Sequence, residues 1–123
     1  MKNELEDRLI EKYPEIFRTT KLIETGDGWF ELIDTLCKNI GRHVKNGRGL
    51  KISAAQVKEK YGGLRFYIDG GDEFVDGLIE MAESMSYKIC DICGNPGKIN
   101  NQGWITTRCE EHRATLHGYV ENE

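Results

Sequence analysis

No stretch of the chain approaches the ~18 consecutive apolar residues that a membrane span needs. The acidic run Asn3-Glu4-Leu5-Glu6-Asp7 lacks the basic-then-apolar order of an export signal. A cytoplasmic protein with no membrane attachment is expected. Proline is scarce, only Pro14 and Pro96, and no linker, internal repeat or low-complexity tract divides the 123 residues. One domain spanning 1–123 is expected, with 1–87 as its core and 88–123 as a subregion fused to that core. Patterns for a nucleophile elbow, a phosphate-binding loop, a dinucleotide fingerprint or a zinc-protease helix are missing, which argues against an enzyme.

Charge of one sign is missing from particular blocks. Residues 68–87 contain no Lys or Arg against 6 Asp and Glu, whereas residues 42–67 contain 7 Lys and Arg against the single acid Glu59. The net charge of −4 therefore conceals a basic middle followed by an acidic stretch, and an acidic whole is repelled from a nucleic-acid backbone at long range. General nucleic-acid binding is disfavoured.

What is present reads as an α+β fold. Leu5, Leu9, Tyr13 and Ile16/Phe17 follow helical spacing until Pro14 interrupts it. Trp29, Leu32/Ile33, Leu36/Cys37, Ile40 and Val44 predict the strongest helix, started by Thr25 or Asp27 and ended by a left-handed glycine in Asn46-Gly47-Arg48-Gly49. Residues 51–57 and 64–68 alternate as strands around Gly62-Gly63, the expected tight turn of a β-hairpin. Leu64, Phe66 and Ile68 fall on one face, with Arg65 and Tyr67 on the other. Asp72 opens an amphipathic helix whose predicted core stripe is Phe74/Val75, Leu78, Met81/Ala82 and Met85, so that two helices can cover one sheet face.

The chemistry-bearing pattern lies near the C-terminus. Cys90-Asp91-Ile92-Cys93-Gly94 is a C-x2-C, and Cys109-Glu110-Glu111-His112 is a C-x2-H fifteen residues further on. Zn2+ takes four thiolate or imidazole donors in a tetrahedron, and donors three residues apart reach one ion through a tight turn or the first turn of a helix. Gly94 suits a knuckle turn, and Glu110 to Leu116 reads as a short helix, which together give a treble-clef-like finger. A disulfide needs an oxidising compartment, and a redox C-x2-C sits at a strand-to-helix junction rather than before Gly-Asn-Pro-Gly. Four ligands close the coordination sphere, so the zinc is expected to be structural, with Ile89, Ile92, Ile99, Trp104 and Ile105 as the finger's small core. His117 is eight residues from Cys109, too far to replace His112, and is expected at the surface. His43 and the stripe residue Cys37 suggest no catalysis, while Asp27 and Asp34 read as a cap and a solvated acid.

A second feature is the run from Lys58 to Tyr67, where Lys58, Lys60 and Arg65 supply charge, Tyr61 and Tyr67 supply stacking faces, and Gly62 and Gly63 offer bare backbone. Such a surface suits a phosphate or a base. A hairpin with solvated lysines accounts for the same residues.

Several blocks carry a resemblance: Tyr13-Pro14-Glu15-Ile16-Phe17, the run Gly26-Asp27-Gly28-Trp29 through Cys37, the run Val57 through Tyr67, and Cys90-x2-Cys93-Gly94-Asn95-Pro96-Gly97 with Gly103-Trp104 and Cys109-x2-His112. In this order the chain resembles a family of small proteins common in bacteriophage and prophage genomes. The resemblance implies a viral accessory gene and no particular reaction. In that context the expected function is non-enzymatic binding of a host protein or a nucleotide-like signal through the hairpin block, as an antagonist of host defence would act. A zinc-finger regulator of nucleic acid and a nucleotide-processing enzyme are the alternatives.

Overall fold

The computed structural model describes residues 1–47, 50–101 and 103–114. Helix α1 spans Asn3–Lys12, strand β1 is Ile23–Glu24, a 3-10 turn covers Asp27–Trp29, and helix α2 runs Phe30–Asn46. Strands β2 (Ile52–Lys60) and β3 (Gly63–Gly70) precede helix α3 (Glu73–Ser86), and strands β4 (Lys98–Asn100) and β5 (Thr106–Arg108) complete the order. The expected α+β architecture is present, a three-stranded sheet with helices and a separate two-stranded ribbon near the C-terminus.

Strand β2 is central in the sheet, parallel to β1 and antiparallel to β3. Val57 lies opposite Phe66 and Lys58 opposite Arg65. Paired residues share a face, so the sheet has an apolar side and a basic one. An irregularity between Ala54 and Gln56 inserts one extra residue; without it the period of two would turn Ile52 and Ala54 outward, and with it both stay buried on the side of Val57. Helices α2 and α3 supply Leu32, Ile33, Leu36, Ile40, Val75 and Ile79 to the cluster that also holds Leu64, Phe66 and Trp29. Helix α1 adds Leu9 and is held to α2 where the Tyr13 hydroxyl donates to Asp34 at 2.7 Å and Lys12 pairs with the same carboxylate at 3.1 Å. Asp34 is thus a tie between helices and not the solvated acid expected.

Three local expectations are corrected. Helix α2 closes on Gly47 at φ −91°, an extended conformation, so no left-handed cap is used there; residues 48 and 49 lie outside the described set. At its start, no side-chain cap is made, and the Asp27 carboxylate instead accepts from the backbone N–H of Lys2 at 2.8 Å. In the hairpin the positive φ values belong to Tyr61 (53°) and Gly62 (85°). Gly63 is already the first strand residue, paired with Lys60.

Helix α3 starts as predicted, its N-cap Asp72 accepting from Val75 N–H at 3.0 Å. Its carboxylate also meets His43 of α2 at 2.8 Å, and the His43 ring stacks on Phe74 with centroids 4.2 Å apart. The buried stripe is Val75, Ile79, Ala82 and Ser86: Val75 and Ala82 are buried as predicted, while Ile79 and Ser86 take the places expected of Leu78 and Met85. Phe74, Met81 and Met85 are exposed.

The C-terminal segment is stitched to this core at two places. Gly28 N–H donates to Asp91 O at 3.0 Å and the Trp29 indole to Ile89 O at 2.9 Å. A Cβ on Gly28 would stand 2.1 Å from Cys90 O, so only glycine allows this approach. At the other place the Thr107 hydroxyl donates to Gly62 O at 2.5 Å.

Candidate metal centre

Cys90 and Cys93 ride on a turn in which Gly94 N–H donates to Cys90 O at 3.0 Å and Cys90 N–H to Asn95 O at 2.7 Å. Gly94 takes φ 84°, which lets the chain curl back toward Pro96, bridged to Ile89. The β4–β5 ribbon then returns the chain to Cys109. A second turn, closed by His112 N–H donating to Cys109 O at 3.1 Å, presents the other two donors. Knuckle, ribbon and ligand-bearing turn follow in treble-clef order. The helix expected over 110–116 is seen as turns as far as residue 114; its last two residues and His117 lie outside the described residues.

The four donor atoms all lie within 4.8 Å of one another. Cys93 Sγ is 3.7 Å from Cys109 Sγ, Cys90 Sγ is 3.7 Å from His112 Nδ1, and Cys109 Sγ is 3.2 Å from the same nitrogen. A tetrahedron with metal–sulfur bonds of ~2.3 Å has edges of about 3.7 Å, whereas a disulfide needs ~2.05 Å. The cluster has the dimensions of a metal site, and its cysteines are unbridged.

The environment favours thiolate at one ligand. Burial opposes the charge at Cys90, but N–H groups of Cys109, Cys93 and Ile92 point at its sulfur and His112 lies beside it, holding the thiol at about 7. Burial and the adjoining sulfurs of Cys109 and Cys90 push Cys93 up to about 11, against the N–H of Asn95. A lowered Cys90 thiol beside a raised Cys93 thiol means that a cation binding here releases protons as it takes up thiolates.

The finger's interior departs from the expectation. Ile99 and Trp104 are exposed and Ile89, Ile92 and Ile105 only half-buried, while Thr106, Thr107, Arg108 and Asp91 are buried. The Arg108 Nε–Asp91 Oδ1 distance is 2.6 Å, Arg108 also donates to His112 O at 3.3 Å, and Asp91 N–H donates to Thr107 O at 3.0 Å. Burial pushes the Asp91 carboxyl up to about 6 against the pull of Arg108. Asp91 follows one ligand and Arg108 precedes another, so this pair joins the two ligand-bearing turns. Sequence reasoning missed it; opposite charges placed next to metal ligands were the available signal.

The hairpin residues are brought together only in part. Lys58, Lys60, Arg65 and Tyr67 share the outer face of β2 and β3 by register, with Glu24 of β1 beside Lys58. The glycine backbone is already engaged. Gly62 N–H donates to Glu59 Oε2 at 2.7 Å, its carbonyl takes the Thr107 hydroxyl, and Gly63 lies under the ring of Tyr87. Gly62 and Gly63 therefore do not offer the open backbone expected for a phosphate. Arg65 donates to Leu64 O at 3.0 Å, and although burial disfavours its charge, Tyr87 and Glu83 raise its pKa, so it is turned toward the α3 side. Cys37 is buried and its thiol pushed far up by that burial, consistent with the inert role expected of it.

No family model matches this chain, and comparison with curated proteins and with solved structures returns no match.

Proposed function

We propose that the chain is a non-enzymatic binding module whose C-terminal segment is held by a structural Zn2+ on Cys90, Cys93, Cys109 and His112. Its working surface is the basic side of the β2–β3 hairpin. The observation that carries this reading is the mutual spacing of the four donors, which fits a tetrahedron whose corners are all protein atoms. Three thiolates and an imidazole suit zinc over the harder cations, and a sphere filled by protein has no position for a reacting water. Lys58, Lys60 and Tyr67 stand outward as anchors for an anionic, planar ligand, the chemistry of a nucleotide-like signal. The resemblance of the sequence blocks to phage-borne proteins is the ground for proposing an accessory role in a host cell.

The test has two parts. Elemental analysis is expected to find one zinc per chain, with removal by chelator lowering the melting temperature; a metal-free protein that melts unchanged overturns the structural ion. Thermal shifts with linear and cyclic nucleotides are expected to single out at least one stabilising ligand. If none shifts the protein and a host protein copurifies instead, the nucleotide reading gives way to a protein partner.

A further inference from the structure

Tyr61 occupies a backbone position better suited to another residue. The two-residue turn between β2 and β3 needs left-handed backbone at both positions, which glycine, asparagine or aspartate adopts most readily. Tyr61 takes it at φ 53° while its ring is 66 % exposed. The ring neither fills the core nor favours the turn. Trp104, on the loop between β4 and β5, is 64 % exposed, and it too contributes nothing to the finger's interior.

These two rings line a single cleft of about 460 Å³, with Lys58, Lys60 and Ile105 among its other walls. Lys60 Nζ stands 5.7 Å from the Tyr61 ring centroid. Glu59 also borders the cleft, but its carboxylate is tied to Gly62 N–H at 2.7 Å. Stacking faces beside ammonium groups are the elements that hold a base and its phosphate. The volume lies in the range of small-ligand sites, about 300–1,000 Å³, room for one nucleotide. The acidic block at 68–87 disfavours a long polyanion laid across the surface.

We propose that the cleft between the β2–β3 turn and the β4–β5 loop binds a single nucleotide unit, its base stacked on Tyr61 and Trp104 and its phosphate on Lys58 and Lys60. This rests on the nucleotide-binding reading above and adds to it a recognition wall delivered by the finger. The Thr107–Gly62 hydrogen bond of 2.5 Å holds that wall against the turn, so the cleft exists only while the finger is docked. Metal at Cys90, Cys93, Cys109 and His112 then controls ligand affinity without touching the ligand.

Tryptophan emission of the zinc-loaded, full-length protein reports the site directly, because Trp29 is buried and only Trp104 is placed to meet a ligand. Titration with AMP and GMP is expected to quench it saturably. Equilibrium dialysis is expected to show affinity reduced about 5- to 150-fold by Trp104→Ala or Tyr61→Asn, the range for loss of one stacking partner, with Trp104→Phe restoring most of it. Adenosine and ribose 5-phosphate, each lacking half the ligand, should bind weakly. An oligonucleotide that binds no more tightly than its terminal nucleotide assigns the site to free nucleotides; a tighter one assigns the same cleft to a strand end. Nucleotide binding that survives both Trp104→Ala and Tyr61→Asn unchanged overturns this cleft while leaving the proposed function standing. Absence of binding by any nucleotide overturns this cleft and the nucleotide reading of the hairpin surface together.

Discussion

Replacing Gly28 by alanine tests whether the finger and the core are one packed unit. The new methyl group would stand 2.1 Å from Cys90 O, 2.6 Å from Gly94 N and 2.8 Å from Asp91 C. All three are backbone atoms that cannot rotate away, and ordinary contact begins near ~3.5 Å. The knuckle must therefore retreat on the order of 1 Å, which stretches the 3.0 Å hydrogen bond from Gly28 to Asp91 beyond useful length. One lost hydrogen bond at about 1 kcal/mol and overpacking at about 1–3 kcal/mol give a cost of about 3 kcal/mol. For a chain of this size that lowers the melting temperature by about 10 °C. Gly41, inside α2, has nothing within 4 Å of the corresponding position, so the same substitution there should stabilise by about 1 kcal/mol through helix propensity. Calorimetry of both variants at one fixed zinc concentration decides the matter. A Gly28→Ala protein that melts within ~2 °C of the parent would show that the knuckle is not seated on Gly28.

Other substitutions probe separate parts. Cys90→Ser or Cys109→Ser should abolish stoichiometric zinc and remove hydrogen-exchange protection from residues 88–114 while leaving that of β2, β3 and α2; retained protection in the finger would contradict a structural ion. Tyr61→Asn relieves a left-handed aromatic and should raise stability by about 0.5–1 kcal/mol, read from urea midpoints, even as it weakens the ligand. Burial works against the charge on Asp34, but hydrogen bonds from Tyr13 and Lys12 outweigh it and lower its pKa. A folded value below the unfolded ~3.9 means that its stabilisation is complete above about pH 4 and is lost as the pH falls through the folded value. Asp34→Asn should therefore flatten the acid limb of stability below pH 4, and an unchanged limb would deny that tie.

The four-donor cluster was legible because its chemistry is local: two short spacings around soft donors constrain geometry before any tertiary contact forms. The inward face of β3 was legible for the same reason, through the alternation of Leu64, Phe66 and Ile68, whereas the register was not, because the turn falls at Tyr61-Gly62 and not at Gly62-Gly63. The phase of α3 was legible only in part: Val75 and Ala82 of the predicted stripe are buried, Phe74, Met81 and Met85 are not. Phe74, Leu78, Met81 and Met85 form one helical stripe and Val75, Ile79, Ala82 and Ser86 another beside it, and periodicity alone does not say which of two adjacent stripes meets the sheet. Tertiary packing buries the second. Trp104 and Ile99 were assigned to the finger's core on hydrophobicity, whereas the short ribbon turns them outward and fills the interior with a salt bridge between Asp91 and Arg108. The backbone of Asp91 is in turn held from a distance, by Gly28 N–H donating to its carbonyl at 3.0 Å.

The grip of the finger on Gly28 and Gly62 also orders events during synthesis. Both glycines leave the ribosome well before the cysteines that must meet them, so the sheet and its helices can close while the last turn is still in the tunnel. On the proposed reading, a cell short of zinc would then hold chains with a finished body and a loose tail, blind to the proposed ligand. Metal supply would in that case set how much of the newly made protein is competent, and it would do so after translation, one molecule at a time.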